Sequence, residues 1–125
     1  MSLQAIGIVS EDLQKAVRFY KLLGVELKEA GGADHYDATL PNGMKLMVDT
    51  VGLIQSFEPG FKKVRGTGLT LCFNPGSAAK VNALYQTIVD AGFASVKEPW
   101  DAFWGQRYAC VQDPDGNQID LFCAL

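Results

Sequence analysis

A helical pattern that recurs at a nearly fixed spacing constrains this chain more than any local propensity, because an internal repeat fixes an architecture. Leu13, Ala16, Val17, Tyr20 and Leu23 follow helical spacing, with Asp12 as N-cap and Gly24 where a left-handed cap ends a helix. Val81, Leu84, Tyr85, Ile88 and Ala91 repeat the pattern 68 positions later, with Ser77 as the cap and Gly92 as the stop. Strand-like stretches follow at 25–29 and 93–98, now 69 apart because loop lengths differ. Pro41-Asn42-Gly43 and Pro114-Asp115-Gly116 read as tight hairpin turns 73 positions apart, since Asn-Gly and Asp-Gly tolerate positive φ. Strands 45–49 and 118–122 follow the turns, strands 35–40 and 106–111 precede them, and strands 4–9 and 68–73 open each half. Both halves therefore read as strand, helix, strand, strand, strand.

A length of 125 residues with 48% apolar composition suits one compact domain. Its expected parts are module one at 3–50, a linker at 51–65 and module two at 66–125. The linker holds Pro59 and two glycines, with Phe57 and Phe61 among polar neighbours, and reads as a loop covering core rather than a substrate lid. A formal net charge of -3 supplies no basic field for phosphates, which excludes nucleic acid as an expected partner. No apolar run has spanning length and the N-terminus lacks a signal-peptide pattern, so a cytoplasmic protein without a membrane partner is expected. Cys72, Cys110 and Cys123 form an odd set without CxxC spacing and read as core thiols.

The opening helical run Glu11-Asp12-Leu13-Gln14-Lys15-Ala16, with Phe19-Tyr20 and Leu22-Leu23-Gly24, resembles the first module of the glyoxalase/bleomycin-resistance/extradiol-dioxygenase (vicinal-oxygen-chelate) superfamily. More specific is Phe103-Trp104-Gly105-Gln106-Arg107 followed by Asp113-Pro114-Asp115-Gly116-Asn117-Gln118-Ile119-Asp120-Leu121, which resembles the family's ending. The resemblance implies an α+β fold of two βαβββ modules with curved mixed sheets around a site, completed in many relatives as a homodimer. The superfamily includes metal-dependent lyases, isomerases, dioxygenases and drug-sequestering proteins without catalysis, so fold does not choose the reaction.

Metal-dependent relatives place one ligand near the start of each opening strand and one on each final strand. Carried onto this sequence, those positions are Gln4 (or Ala5 in the alternative register), Met47, Gly68 and Asp120. Met47 and Gly68 offer no hard-metal donor, and one Gln with one Asp is a weak set for nickel, zinc or iron, so no metal or other cofactor is expected. The lone histidine, His35, lies outside those positions and reads as an exposed or hydrogen-bonded residue rather than a ligand. With one histidine, no GxSxG and no GxxxxGK[ST], neither a nucleophilic triad nor nucleotide hydrolysis is expected. Asp113 to Asn117 lacks the spaced oxygens of a calcium loop and reads as a turn.

Trp100, Phe103 and Trp104 are candidates for an aromatic wall, with core filling as the alternative. Arg107 could clamp an anion, although pairing with a nearby acid such as Asp101, Asp113 or Asp120 is the preferred reading because isolated arginines are usually paired. Alternation along the last strand puts Asp120 opposite Ile119 and Leu121, which would face the helix. The candidate ligand-binding set is therefore Phe103, Trp104, Arg107 and Asp120, in a homodimeric protein binding a small, partly apolar molecule without a conventional metal. Whether it is an enzyme stays open. The alternatives are a metal-dependent lyase of the glyoxalase type, with a divalent metal as cofactor, and a non-catalytic interaction subunit.

Overall fold

The computed structural model describes Met1–Leu125, and the chain divides into two compact units, Met1–Val64 and Arg65–Leu125. The first contains β1 (Ala5–Ser10), α1 (Leu13–Leu22), β2 (Lys28–Glu29), β3 (His35–Thr39), β4 (Lys45–Thr50) and α2 (Val51–Phe57). The second contains β5 (Thr70–Phe73), α3 (Ala78–Asp90), β6 (Ser95–Ala102), β7 (Gln106–Gln112) and β8 (Gln118–Ala124). The strand orders are β1-β4-β3-β2 and β5-β8-β7-β6, and in each sheet only the first pair is parallel. Within each unit the opening strand thus docks parallel beside the last one, which the long connection through the helix and the two middle strands allows. No helix is long and apolar enough to cross a membrane.

The helix ends follow the sequence signals. Asp12 accepts from the Lys15 amide at 3.1 Å and Ser77 from the Lys80 amide at 3.2 Å, each relieving one orphan donor of the first turn. Helix α3 is 13 residues long against 10 for α1, so the modules differ by nearly one helical turn at this point. In the first unit, Leu13, Ala16, Phe19 and Tyr20 of α1 are buried, as are Leu46 and Val48 of β4, and α1 packs on that strand. In the second, Val81 and Ile88 of α3 are buried with Ala109, Val111, Ile119 and Leu121 of β7 and β8.

The hairpin between β7 and β8 is built around a buried acid. Asp113 is 2% exposed, and its Oδ1 accepts from the Asp115 amide at 2.9 Å and the Asn117 amide at 2.8 Å. Its Oδ2 accepts from Asn117 Nδ2 at 2.8 Å. Asp-Pro-Asp-Gly-Asn therefore works as a side-chain-stapled turn. Gly116 sits at φ +80°, and a Cβ there would come within 2.5 Å of Arg65 Cγ, so both backbone conformation and space demand glycine.

Two expectations need correction. Residues 51–57 of the expected linker form a helix, capped by the Thr50 side chain accepting from the Leu53 amide at 3.1 Å. Cys72 is exposed, because β5 is an edge strand and this side chain lies on the face without the helix; Cys110 and Cys123 are buried, and all three thiols are free.

Candidate functional site

Strand parity sorts the second sheet into two faces. Ile119, Leu121, Ala109 and Val111 occupy the face packed on α3. The residues between them point the other way: Cys72, Asp120 and Cys110 lie side by side across β5, β8 and β7, and Tyr108 pairs with Phe122 on one side and Trp100 on the other. This second face carries a polar pair set in aromatic rings.

The polar pair is Tyr108 and Asp120. The Tyr108 hydroxyl donates to Asp120 Oδ2, and Gln118 Nε2 donates to Oδ1 at 3.1 Å. Burial, followed by the Asp120 carboxylate, pushes the Tyr108 phenol far above its ordinary range, so it remains a donor at any working pH. The same two causes raise the Cys110 thiol to about 12 and also raise Cys72, where burial again acts first. Neither thiol is poised as a nucleophile at neutral pH, since the reactive form is the thiolate.

The rings gather on Tyr108, with Trp100 and Trp104 edge to face against it and Phe122 tilted beside it. Trp100 and Tyr108 have centroids 5.5 Å apart, Trp104 and Tyr108 5.4 Å, and Trp100 and Trp104 6.0 Å. Phe122 stands 6.3 Å from Tyr108. Trp104, in the turn between β6 and β7, is 49% exposed and donates from Nε1 to Gln106 Oε1 at 2.8 Å. Phe103 is 98% exposed and touches the cluster only through Trp104, at 5.1 Å. The aromatic residues at 100 and 104 are thus neither closed core nor isolated surface; they form a half-open apolar surface with Asp120 at its floor.

Arg107 does not join them. It neighbours Tyr108 in sequence and so points to the opposite face, where Nε donates to Asp101 at 2.6 Å and Nη1 to Asn82 of α3 at 3.0 Å. The Asp101 carboxylate raises the guanidinium pKa further, and the guanidinium lowers that of Asp101. Of the four residues expected together, the structure gathers Trp104 and Asp120, leaves Phe103 at the edge and removes Arg107. Tyr108, Gln118, Cys72 and Cys110 were missed by sequence reasoning, although counting by twos from Asp120 finds Gln118 on its strand.

The first sheet has a polar face of its own. Asp37 pairs with Met47 and His35 with Asp49 in the β3·β4 register. His35 Nδ1 is hydrogen-bonded to Asp49 Oδ1, and its Nε2 lies 3.5 Å from Asp37 Oδ2, with Lys45 Nζ 3.8 Å from that same oxygen. The hydrogen bond to Asp49 holds the His35 pKa above its ordinary value against a smaller lowering by burial. His35 and Tyr108, like Met47 and Asp120, occupy repeat-equivalent positions 73 apart.

The positions at which metal-dependent relatives place ligands do not suit a divalent ion. The Met47 thioether lies over Gly7, whose added Cβ would meet Met47 Cε at 3.5 Å, and Gly68 has no side chain. Gln4 Nε2 bonds to Ser2 Oγ at 2.5 Å. Asp120 is engaged by Tyr108 and Gln118. No trio of His, Cys, Asp or Glu side chains is arranged to hold a metal. A thioether, a glycine, one amide and one carboxylate do not make the imidazole and carboxylate set that nickel, zinc or iron requires.

Comparison with known proteins places the fold. Similar solved structures include a glyoxalase/bleomycin resistance protein/dioxygenase family enzyme from Burkholderia phytofirmans PsJN, at 17% identity and TM-score 0.86, covering 100% of both chains. A glyoxalase-related enzyme from Fulvimarina pelagi is 22% identical at TM-score 0.84, covering 97% of this chain and 86% of that one. A glyoxalase/bleomycin resistance protein/dioxygenase from Nocardioides is 22% identical at TM-score 0.78, over 100% of this chain and 84% of its own. No curated protein matches the chain. The family model for the Glyoxalase/Bleomycin resistance protein/Dioxygenase superfamily matches residues 2–121, and the chain belongs to that superfamily.

Proposed function

We propose that this protein binds a small, partly apolar molecule on the face of the second sheet away from α3, without a conventional metal centre. The observation that carries this reading is the half-open cluster of Trp100, Trp104 and Tyr108 over the buried Tyr108–Asp120 pair. Flat rings supply contact area with few rotamers to freeze, and a few polar groups fix orientation. Asp120 accepts, Tyr108 holds it in place, and Trp104 and Phe122 bound the apolar part. A neutral donor set and two unreactive thiols favour binding, or an enzyme working by positioning, over covalent catalysis. The metal-dependent lyase has no supporting donor set here.

We also propose a homodimer. Each four-stranded sheet ends in two edge strands whose backbone donors and acceptors need cover, and a second copy is the simplest source. Three free cysteines suit a reducing compartment, which supports the cytoplasm. A thermal-shift screen with metabolites and with divalent metals tests the functional reading, because only a ligand that prefers the folded state raises Tm. A metabolite that stabilises the native protein but not Trp104→Ala is the expected result; stabilisation by a metal alone overturns it.

A further inference from the structure

The same face has a charge pattern that points to the class of its ligand, an inference that rests on the binding role proposed above. Asp120 is only 7% exposed, yet the groups beside it are neutral: the Tyr108 hydroxyl, the Gln118 amide and the Cys110 and Cys72 thiols. Buried carboxylates ordinarily sit beside a cation, because desolvation without one is costly. A carboxylate offers about four acceptor directions, and two are taken by Tyr108 and Gln118. On the same face, the row next to it across β6, β7 and β8 is Trp100, Tyr108 and Phe122, with Trp104 packed on Tyr108, and the faces of such rings carry negative electrostatic potential. One cation already rests there: Lys97 Nζ lies 4.3 Å from the Trp100 ring centroid. Lys97 belongs to β6, with β7 standing between it and β8, so its backbone is two strand spacings, roughly 10 Å, from that of Asp120. Its ammonium covers the ring but forms no ion pair with the acid. Because Lys97 is exposed on a flexible four-carbon stem, a ligand cation can displace it.

We propose that this face selects organic cations: molecules with an aromatic or aliphatic body and an ammonium group, the body against Trp104 and the charge over Trp100 and toward Asp120, in place of the Lys97 ammonium. Anions of the same body are disfavoured by the carboxylate at the floor.

The chain has two tryptophans, and both lie in this cluster, so intrinsic fluorescence reports on the site alone. Three probes that share a phenyl ring and differ in charge are titrated against the full chain: benzyltrimethylammonium, benzyl alcohol and phenylacetate. The expected result is saturable binding of benzyltrimethylammonium with a Kd at least tenfold below the other two. Lys97→Met, which removes the resident cation, should tighten the ammonium probe severalfold. Asp120→Asn, which keeps an oxygen for Tyr108, should weaken it to the level of benzyl alcohol, with Tm measured to show that the variant is folded. Equal binding of benzyl alcohol and the ammonium overturns the charge selection but leaves the binding role standing. So does phenylacetate binding most tightly and losing affinity in Lys97→Met, which would make Lys97 an anion anchor. If none of the three binds and the metabolite screen gives no hit, the binding role falls as well.

Discussion

Replacing Asp113 tests whether the Asp-Pro-Asp-Gly-Asn turn is a structural staple. In Asp113→Ala, the amides of Asp115 and Asn117 lose their common acceptor, and Asn117 Nδ2 loses its own. Hydrogen bonds to a charged group contribute about 1.5–3 kcal/mol each, and a buried donor left unsatisfied costs about 1–3 kcal/mol. Because these three bonds share one carboxylate and are not additive, a loss of about 3–5 kcal/mol is expected. Asp113→Asn retains one oxygen for the two backbone amides but turns an amide toward Asn117, and about 1–2 kcal/mol is expected. The assay is urea unfolding followed by tryptophan fluorescence, which tracks the second unit because both tryptophans belong to it. With a slope of about 1.5 kcal/mol/M, the alanine variant should unfold about 2–3 M earlier than the native protein. A midpoint within about 0.3 M of native for Asp113→Ala would refute the staple.

Further expectations concern the remaining polar groups. His35 has a folded-state pKa raised by Asp49, so its stabilising contribution is complete below the unfolded-state value and disappears as pH rises through the folded one. The Tm difference between native protein and His35→Gln should therefore be larger at pH 5.5 than at pH 9, and equal differences would contradict the pairing. Arg107→Ala should lower Tm by loosening Asp101 and Asn82 while leaving probe affinity unchanged; a severalfold loss of affinity would put Arg107 back in the site. Light scattering at micromolar concentration should return twice the chain mass, and a monomer would remove the dimer. Elemental analysis of protein purified without chelator should find no stoichiometric nickel, zinc, iron or manganese; near one equivalent, lost in Asp120→Ala, would restore the metal-dependent reading.

The turns and the two long helices were legible because their signals are local: Asp12 and Ser77 cap their helices, and Gly43 and Gly116 supply positive φ. Strand ends were less so. β6 runs through Pro99 to Ala102, beyond the expected stop at 98, because an edge strand with register shifts tolerates a missing ladder donor. β2 shrinks to Lys28–Glu29 although Val25 and Leu27 are buried, since burial does not require a ladder. Helix α2 was overlooked because Gly52 interrupts its pattern and none of its residues is fully buried. At the site, strand alternation places Asp120 opposite Ile119 and Leu121, and Arg107 pairs with Asp101, one of the nearby acids the sequence offers, rather than standing at a rim with Trp104. Neighbouring strand residues face opposite ways, and Trp104 lies in a turn where parity cannot be counted across. His35 was expected to be exposed or hydrogen-bonded; its contact with Asp49 depends on strand pairing 14 residues away.

The parallel pairing of β1 with β4 and of β5 with β8 also sets an order of events in time. Ala5 meets Lys45 and Thr70 meets Gln118, whereas β3 meets β4 and β7 meets β8 through short hairpins. Closing a hairpin takes microseconds, while distant strands must wait until the intervening chain has been ordered. Each unit should therefore form its hairpin first, with the opening strand added last through the helix crossover. The reverse path is local opening. β5 is short and has one neighbour within its sheet, so wherever no second copy covers its edge its amides should exchange with solvent sooner than those of β8, which has a neighbour on both sides. Cys72 sits in that strand beside Asp120, so the surface around the carboxylate borders an edge of its sheet and would loosen with it.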